Sequence, residues 1–150
     1  MRIFIDADAC PVKDEVYKVA DRYGLKTIVV SNGFIRTPAS AAIEFVQVEA
    51  GPDIADDWIA ERAEPGDIVV TNDIPLADRA LKKDACAIAP NGRLFTADSI
   101  GQALAGRAIA EHIRSMGDMT SGPRAFAPAD RSRFLQALDE AVNRARRKRR

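Results

Sequence analysis

Short apolar runs alternate with segments of helical periodicity over the first 90 residues of the chain. Apolar runs bounded by turn residues are typical of buried strands, and apolar residues at every third or fourth position are typical of helices packed against a core. The pattern predicts five strands, with the sequences RIFI, TIVVSN, EFVQVE, GDIVVTND and ACAIA. Helices are predicted after the first, third and fourth strands, and this alternation favours an α/β fold with a mainly parallel central sheet.

Turn residues mark the ends of several of these elements. Pro11 suits the first turn of the first helix, and Gly24 suits its end. Asp53 can cap the second helix, and the Pro65-Gly66 turn leads into strand four. Strands one and four are both strongly apolar, so we expect them to be central neighbours in the sheet. Ligand sites in such sheets lie outside the carboxyl ends of the strands.

The pattern is helical from about Asp98 onward. It predicts one amphipathic helix, then a loop containing glycine and proline, and then a last helix; the inward positions of the two helices are Ile100, Leu104, Ile113 and Met116, and Phe134, Leu135, Leu138 and Val142. We predict a single domain over residues 1–143 with a helical C-terminal extension. Residues 144–150 are predicted to form an unstructured basic tail.

The composition is that of an ordinary globular domain, with 150 residues of which 47% are hydrophobic. No apolar run approaches the roughly 18 residues of a membrane span, and the N-terminus has no signal-peptide pattern. Cys10 and Cys86 are isolated, without C-x-x-C spacing, which is typical of reduced thiols. We therefore expect a cytoplasmic protein with no membrane and no disulfide partner. The composition does not indicate an oligomeric state.

The net charge of zero hides an uneven distribution of charge along the chain. Of the 22 basic residues, six lie in the last seven positions, which leaves 16 basic residues against 22 acidic ones. A block of like charge is most often a solvated chain end, but it can also bind a polyanion such as RNA by counterion release. RNA is therefore a candidate partner.

Acidic residues are grouped at three separate places. One group follows strand one, the second begins the second helix, and the third ends strand four and enters the next helix: Asp6 and Asp8; Asp53, Asp56 and Asp57; Asp73 and Asp78. If strands one and four are parallel neighbours, Asp6 and Asp73 emerge at the same edge of the sheet. Like charges held this close require a cation or a raised pKa, and oxygen-only ligands suit Mg²⁺ or Mn²⁺.

Each of these carboxylates also has a local interpretation. Asp8 can cap the helix that begins near Pro11, Asp73 can cap the helix near Pro75, and acidic residues in a first helical turn suit the helix dipole. These roles do not explain why Asp6 and Asp73 each follow an apolar strand directly. A metal-binding carboxylate cluster does explain that placement.

Several motifs resemble the YaiI/YqxD family of bacterial proteins, namely IDADACPVK, ADDWI, GDIVVTNDIPLADRAL and a Gly-Pro pair near the C-terminus. The resemblance covers nearly the whole chain up to the basic tail. That family is similar to PIN-like domains, including the NYN and Regnase-type ribonucleases, so the resemblance implies a PIN-like three-layer α/β sandwich. In this superfamily an aspartate ends strand one, a helix carries acidic residues, and a later strand ends in Ser/Thr-Asn-Asp.

The resemblance implies a nuclease that hydrolyses RNA phosphodiester bonds with a divalent cation held by aspartates. Asp6 and Thr71-Asn72-Asp73 match two of the motifs, and Asp56-Asp57 resembles the acidic pair of the Regnase type. The implied catalytic residues are Asp6, Asp57 and Asp73. The implied ligands of Mg²⁺ or Mn²⁺ are Asp6, Asp8, Asp56, Asp57, Asp73 and Asp78. Asp78 departs from the usual spacing, and Asp8 has no fixed counterpart.

Four further polar residues are candidates for substrate binding. Cationic side chains near the site would neutralise a substrate phosphate, and an amide would hydrogen-bond beside it; the candidates are Lys13, Asn32, Arg36 and Arg124. Each also has an ordinary interpretation as a surface charge or a turn residue.

Two other functions stay open. Haloacid-dehalogenase-type phosphatases also begin with an apolar strand and Asp-x-Asp, and there Asp6 would be the nucleophile, Asp8 the acid/base and Asp73 a metal ligand. Ala9 and Cys10 depart from the residues usual after that motif, and a lysine expected near strand four is missing. The other function is a non-catalytic PIN-like module that binds RNA or a protein.

Overall fold

The computed structural model describes residues 1–102, 105 and 126–148. The strands are β1 (Arg2–Asp6), β2 (Lys26–Ser31), β3 (Ile43–Gln47), β4 (Ile68–Val70) and β5 (Cys86–Ile88). The helices are α1 (Lys13–Tyr23), α2 (Ile54–Arg62), α3 (Ile74–Lys82) and a C-terminal helix (Pro128–Lys148), with a 3-10 turn at Ala7–Ala9. All five predicted strands and the first three predicted helices are thus confirmed.

The five strands form one sheet in the order β3-β2-β1-β4-β5, and every pairing is parallel. The expectation that strands one and four are neighbours is confirmed, with Ile5 opposite Val70. The predicted α/β class with a parallel central sheet is confirmed as well. Because all strands run in the same direction, their carboxyl ends meet at one edge, which we call the carboxyl edge.

Alternate residues of β1 pack into two separate cores, because side chains on a strand point to opposite faces. Ile3 and Ile5 pack with Val16 of α1 and with Phe134 of the C-terminal helix. Phe4 packs on the other face, in a core that includes residues of α2 and α3. The sheet is therefore the middle layer of a three-layer sandwich, as the resemblance implied.

The C-terminal helix is fastened to α1 by polar contacts at the helix surface. Tyr23 donates a hydrogen bond of 2.6 Å to Asp139, and Arg22 forms an ion pair of 3.0 Å with the same carboxylate. The guanidinium of Arg146 lies over the ring of Tyr23, 5.2 Å from its centroid. These contacts hold in place the helix that covers one face of β1.

Residues 144–148, which the charge pattern predicted to be unstructured, are instead helical. Arginine, lysine and alanine all favour helices, and the cation–π contact of Arg146 adds a tertiary interaction to this last turn. The predicted helix around Ile100 begins at residue 97, and Ile100 is buried. Leu104, Ile113, Met116 and the loop containing glycine and proline fall largely outside the described residues, and the single domain stays a prediction.

Two remaining expectations concern the membrane and the cysteines. Over the described residues, no helix is long and apolar enough to cross a membrane. Cys10 is buried, Cys86 is half-buried, and both are free thiols.

Two glycines have backbone conformations that other residues rarely adopt. Gly24 ends α1 with φ +65°, and the space around its missing Cβ is open. Gly92 has φ +91°, and a Cβ there would lie 2.8 Å from the carbonyl carbon of Arg133 in the C-terminal helix. Gly24 is therefore required only because of its positive φ. Gly92 is required because of its positive φ and because a Cβ would clash with the C-terminal helix.

We expect Gly24→Ala to lower the free energy of unfolding by about 1 kcal/mol, the usual cost of a left-handed non-glycine residue. Gly92→Ala should cost about 3 kcal/mol, because steric displacement of the C-terminal helix adds to the same strain. Urea denaturation followed by circular dichroism measures both. Equal losses in the two variants would contradict the close contact at Gly92.

Candidate functional site

An acidic pocket lies at the carboxyl edge of the sheet. Its volume is about 210 Å³, and its lining is mostly acidic and polar: Asp6, Asp8, Asn32, Gly51, Asp53, Ala55, Asp56 and Asp73. Four of these residues, Asp6, Asp8, Asp56 and Asp73, are aspartates that the sequence predicts as metal ligands. We refer to this site as the carboxylate pocket.

Asp6 is positioned by the end of β1 and by a hydrogen bond from the neighbouring strand. The hydroxyl of Thr71 donates a bond of 2.8 Å to Oδ2 of Asp6. The same hydroxyl accepts a bond of 2.9 Å from the backbone N–H of Asp73. Because Thr71 is only 1% exposed, this chain of hydrogen bonds holds Asp6 and Asp73 at a fixed separation.

Asp73 both caps a helix and lines the carboxylate pocket, the two places that its position in the sequence suggests. Its Oδ1 accepts a hydrogen bond of 2.8 Å from the backbone N–H of Leu76, so it caps the N-terminus of α3. It also lines the carboxylate pocket. The cap fixes the orientation of the carboxyl group that faces the pocket.

Asp8 does not cap α1, which has Val12 at its N-cap and no side-chain cap. Instead its Oδ1 accepts a hydrogen bond of 2.5 Å from the hydroxyl of Ser31. The backbone N–H of Asn32 also points at both of its oxygens, at 3.2 and 3.3 Å. A carboxylate engaged in this way supports the end of β2, whereas a phosphatase acid/base would have to be free to deliver a proton.

The structure separates the adjacent residues Asp56 and Asp57. Asp56 lines the carboxylate pocket, whereas Asp57 forms an ion pair of 2.5 Å with Arg79 of α3. Asp78 lies on the surface of α3 and pairs with Lys82 at 2.9 Å. Asp57 and Asp78 are therefore not brought to the pocket with the other predicted ligands.

The carboxyl groups of the carboxylate pocket have no lysine or arginine beside them among the lining residues. Burial, together with the charges of Asp73 and Asp8, raises the pKa of Asp6 against the opposing effect of the Thr71 hydrogen bond. Burial raises the pKa of Asp56 to about 7, with added repulsion from Asp73 and Asp6 and a hydrogen bond to Asp73. Asp56 is therefore the carboxyl group that keeps its proton most strongly.

The donor set suits a hard divalent cation, because it consists of carboxylate and amide oxygens. Within the described part of the chain, however, no three Asp, Glu, His or Cys side chains are spaced to hold a metal ion together. The carboxylates line the walls of the pocket, and Asp56 shares a hydrogen bond with Asp73. Mg²⁺ is commonly held by only one or two carboxylates, with waters and substrate phosphates as its other ligands.

The predicted substrate-binding residues fall in different places. Asn32 lines the carboxylate pocket. Lys13 donates a hydrogen bond of 2.8 Å to the carbonyl of Cys10 and does not line the pocket. Arg36 is exposed in the segment that follows β2, and Arg124 lies outside the described residues.

Two residues of the site are absent from the predicted ligands and catalytic residues. Asp53 belongs to the second acidic group and is predicted as a cap, but at the N-cap of α2 it has φ +65° and makes no side-chain capping bond, so its carboxylate is left to line the pocket. Thr71 was read only as part of a motif, although a small hydroxylated residue opposite Asp6 is a signal that could have identified it. Its hydroxyl orders the two central aspartates.

A larger cavity of about 680 Å³ lies at the opposite end of the sheet, beside the start of β4 and β5. It is lined mainly by apolar side chains, together with Arg144 and Lys148 of the C-terminal helix. The basic end of the chain is thus placed away from the carboxylates. Asp67 and Asp84 also line this cavity, so acidic and basic side chains occur there together. The carboxylate pocket has several aspartates and no lysine or arginine among its lining residues, and we therefore take it as the candidate site.

Asp56→Asn should change how stability depends on pH. Between about pH 4 and pH 7 unfolded Asp56 releases its proton while the folded protein retains it, so the wild-type free energy of unfolding falls as pH rises. The variant lacks this loss. In buffer containing EDTA we expect the two proteins to be alike at pH 4 and the variant to be more stable by on the order of 1 kcal/mol at pH 8, after screening is allowed for.

Urea denaturation at both pH values measures this difference, and Asp57→Asn is the matched control. Asp57 pairs with Arg79 outside the pocket, so its variant should show no gain in stability at high pH. If Asp56→Asn and the wild type differ in stability by the same amount at both pH values, the raised pKa of Asp56 is contradicted.

Thr71→Val should lower the free energy of unfolding by about 2 kcal/mol, because the part-buried backbone N–H of Asp73 loses its acceptor and Asp6 loses a donor. Thr71→Ser retains the hydroxyl and should recover more than half of the loss. Thermal and urea unfolding of the two variants provide the measurement. A valine variant as stable as the serine variant would show that the hydroxyl is not important.

Comparison with known proteins identifies the family of this chain. The profile of the family described as "Uncharacterized BCR, YaiI/YqxD family" matches residues 4–144. A UPF0178 protein of Caulobacter sp. (strain K31) is 72% identical over 145 residues, covering 97% of this chain and 96% of the relative. A UPF0178 protein of Rhodopseudomonas palustris (strain ATCC BAA-98 / CGA009) is 60% identical over 148 residues, covering 99% and 94%. No solved structure matches this chain. The chain therefore belongs to the YaiI/YqxD family.

Proposed function

We propose that the carboxylate pocket binds Mg²⁺ or Mn²⁺ and that the protein hydrolyses phosphodiester bonds in RNA. The observation that carries this proposal is the set of aspartates at the carboxyl edge, which come from separate segments of the chain. Among the residues lining the pocket there is no lysine or arginine, and the pKa of Asp56 is raised to about 7. A divalent cation is the compensating charge that such a pocket lacks.

Asp6 and Asp73 are the carboxylates best suited to hold the cation. One oxygen of each is already fixed by a hydrogen-bond donor, Thr71 or the Leu76 amide, so the carboxyl groups are oriented before binding. When bound, the cation would activate water and stabilise charge on a phosphodiester. Two oriented carboxylates are sufficient for Mg²⁺ when water and phosphate complete its ligands.

Asp56 has a different role in this proposal. It is half-exposed in the first turn of α2, and it shares a hydrogen bond with Asp73. A bound cation would lower its raised pKa, and the carboxylate would then accept the proton of the attacking water. Asp53 adds negative charge to the same wall, and Asn32 can donate a hydrogen bond to a phosphate oxygen.

Purified protein with Mn²⁺ should cleave labelled RNA, and EDTA should abolish the cleavage. Asp6→Asn and Asp73→Asn should each lower the rate at least about a hundred-fold, beyond the 10- to 100-fold that loss of a supporting group costs. Gel electrophoresis of single- and double-stranded RNA and DNA, incubated with each variant, measures the activity and the choice of nucleic acid.

Three variants make this experiment specific to the pocket. Asp56→Asn should lose activity, whereas Asp57→Asn should retain it because that side chain is engaged by Arg79. Asp21→Asn removes an exposed carboxylate of α1 and serves as the matched control. Intact substrates after incubation with Mn²⁺ or Mg²⁺ would refute the proposal, and so would equal activity of the Asp6 and Asp21 variants.

A further inference from the structure

A single aromatic ring stands exposed in the segment after β2, close in sequence to a residue of the carboxylate pocket. Phe34 is 79% exposed, and it is the one large hydrophobic side chain in this state among the described residues. It lies in the segment 32–42 that joins β2 to β3, two residues after Asn32 of the pocket. Two residues of chain span at most about 7 Å, so the backbone of Phe34 lies no farther than this from that of Asn32.

The start of this segment is held firmly. The hydroxyl of Ser31 donates to Asp8 and accepts a hydrogen bond of 3.1 Å from the backbone N–H of Gly33. The N–H of Asn32 also points at Asp8. The acidic end of β1 therefore determines where the segment leaves the sheet.

Exposure alternates along this segment. Asn32, Phe34 and Arg36 are exposed, whereas Ile35 between them is half-buried and packs against the core. Residues 32 and 33 form a bend, and the alternating exposure begins after it. Side chains two positions apart in such a stretch point to the same side, so Phe34 and Arg36 share one exposed side of the segment that leaves the carboxylate pocket at Asn32.

A second ring supports Phe34. Phe45 of β3 meets it edge to face, with the ring centroids 5.9 Å apart and the planes at 73°. Phe45 is itself packed against the core. The contact restricts the rotation of the Phe34 ring while leaving most of its surface in water.

We propose that Phe34 is a stacking platform for an unpaired nucleobase next to the carboxylate pocket, and that Arg36 contacts a phosphate of the same strand. The inference rests on the proposed function, because it names how that pocket would select its substrate. It adds a preference for single-stranded nucleic acid, since a base inside a duplex has no free face to stack on a protein ring.

Phe34 and Arg36 together fit a nucleic acid strand better than they fit a protein partner. One exposed ring does not form the extended apolar patch that marks a protein interface. A planar ring with a cation nearby matches the alternating bases and phosphates of a strand. Arg36 has no ion-pair partner among the described residues, so its charge is available.

The test measures binding separately from cleavage. Fluorescence anisotropy is recorded with a short labelled single strand of RNA, in EDTA and again with Ca²⁺ in place of Mn²⁺. Phe34→Ala should weaken binding about ten-fold, the scale of losing one stacked base, and Phe34→Trp should bind as well as the wild type. The same RNA in a duplex should bind more weakly to the wild type and show no difference between the variants.

Two controls separate stacking from other effects. A strand of abasic nucleotides keeps its phosphates but lacks bases, so it should bind the wild type and Phe34→Ala equally. Arg36→Ala should reduce the salt dependence of binding by about one phosphate contact, whereas Arg93→Ala, which removes an exposed arginine from the turn after β5, should not.

The stacking role of Phe34 and the nuclease activity can be contradicted independently in these experiments. Phe34→Ala that is folded by circular dichroism and binds the single strand as tightly as the wild type would overturn the stacking role, even if the protein cleaves RNA. Absence of binding to any strand in both buffers would overturn it as well. Weaker binding by Phe34→Ala, without cleavage in Mn²⁺, would support the platform and refute the nuclease.

Discussion

The parallel pairing of β1 with β4 is the constraint on which the functional site depends. It brings the ends of two buried strands together and forces Asp6 and Asp73 to share one edge of the sheet. Thr71 makes this arrangement tolerable, because its hydroxyl serves one aspartate as donor and the backbone of the other as acceptor. Burial, with added repulsion from neighbouring carboxylates, raises the pKa values of Asp6 and Asp56.

The opposite edge of the same sheet shows how a buried carboxylate is normally accommodated. Asp67, just before β4, is 3% exposed and accepts hydrogen bonds from both the backbone and the guanidinium of Arg2. The backbone N–H of Glu64 donates to Oδ2, the same oxygen that accepts from the Arg2 guanidinium. One acid with one cation is a structural arrangement. The carboxylate pocket differs, since it has several acids and no lysine or arginine among its lining residues, and this contrast supports the proposal that it binds a cation.

Sequence patterns predict best those elements whose local residue preferences agree with their position in the folded sheet. The strands are apolar runs between turn residues, and the placement of Asp6 and Asp73 follows from their neighbouring strands. The choice between Asp56 and Asp57 could not be made, because α2 has apolar residues around most of its circumference and its inward face cannot be read. The Asp8 contact depends on Ser31, which only the folded sheet brings near.

The helical state of residues 144–148 was missed for the same reason, since Tyr23 stabilises it from far along the chain. This long-range packing has a consequence for how the protein is made. Phe134 and Leu138 of the C-terminal helix share a core with Ile3 and Ile5 of β1, far away in the sequence. Before that helix is translated, α1 can cover only part of this face of β1. This core is therefore completed late in synthesis, by a contact between segments that are distant along the chain.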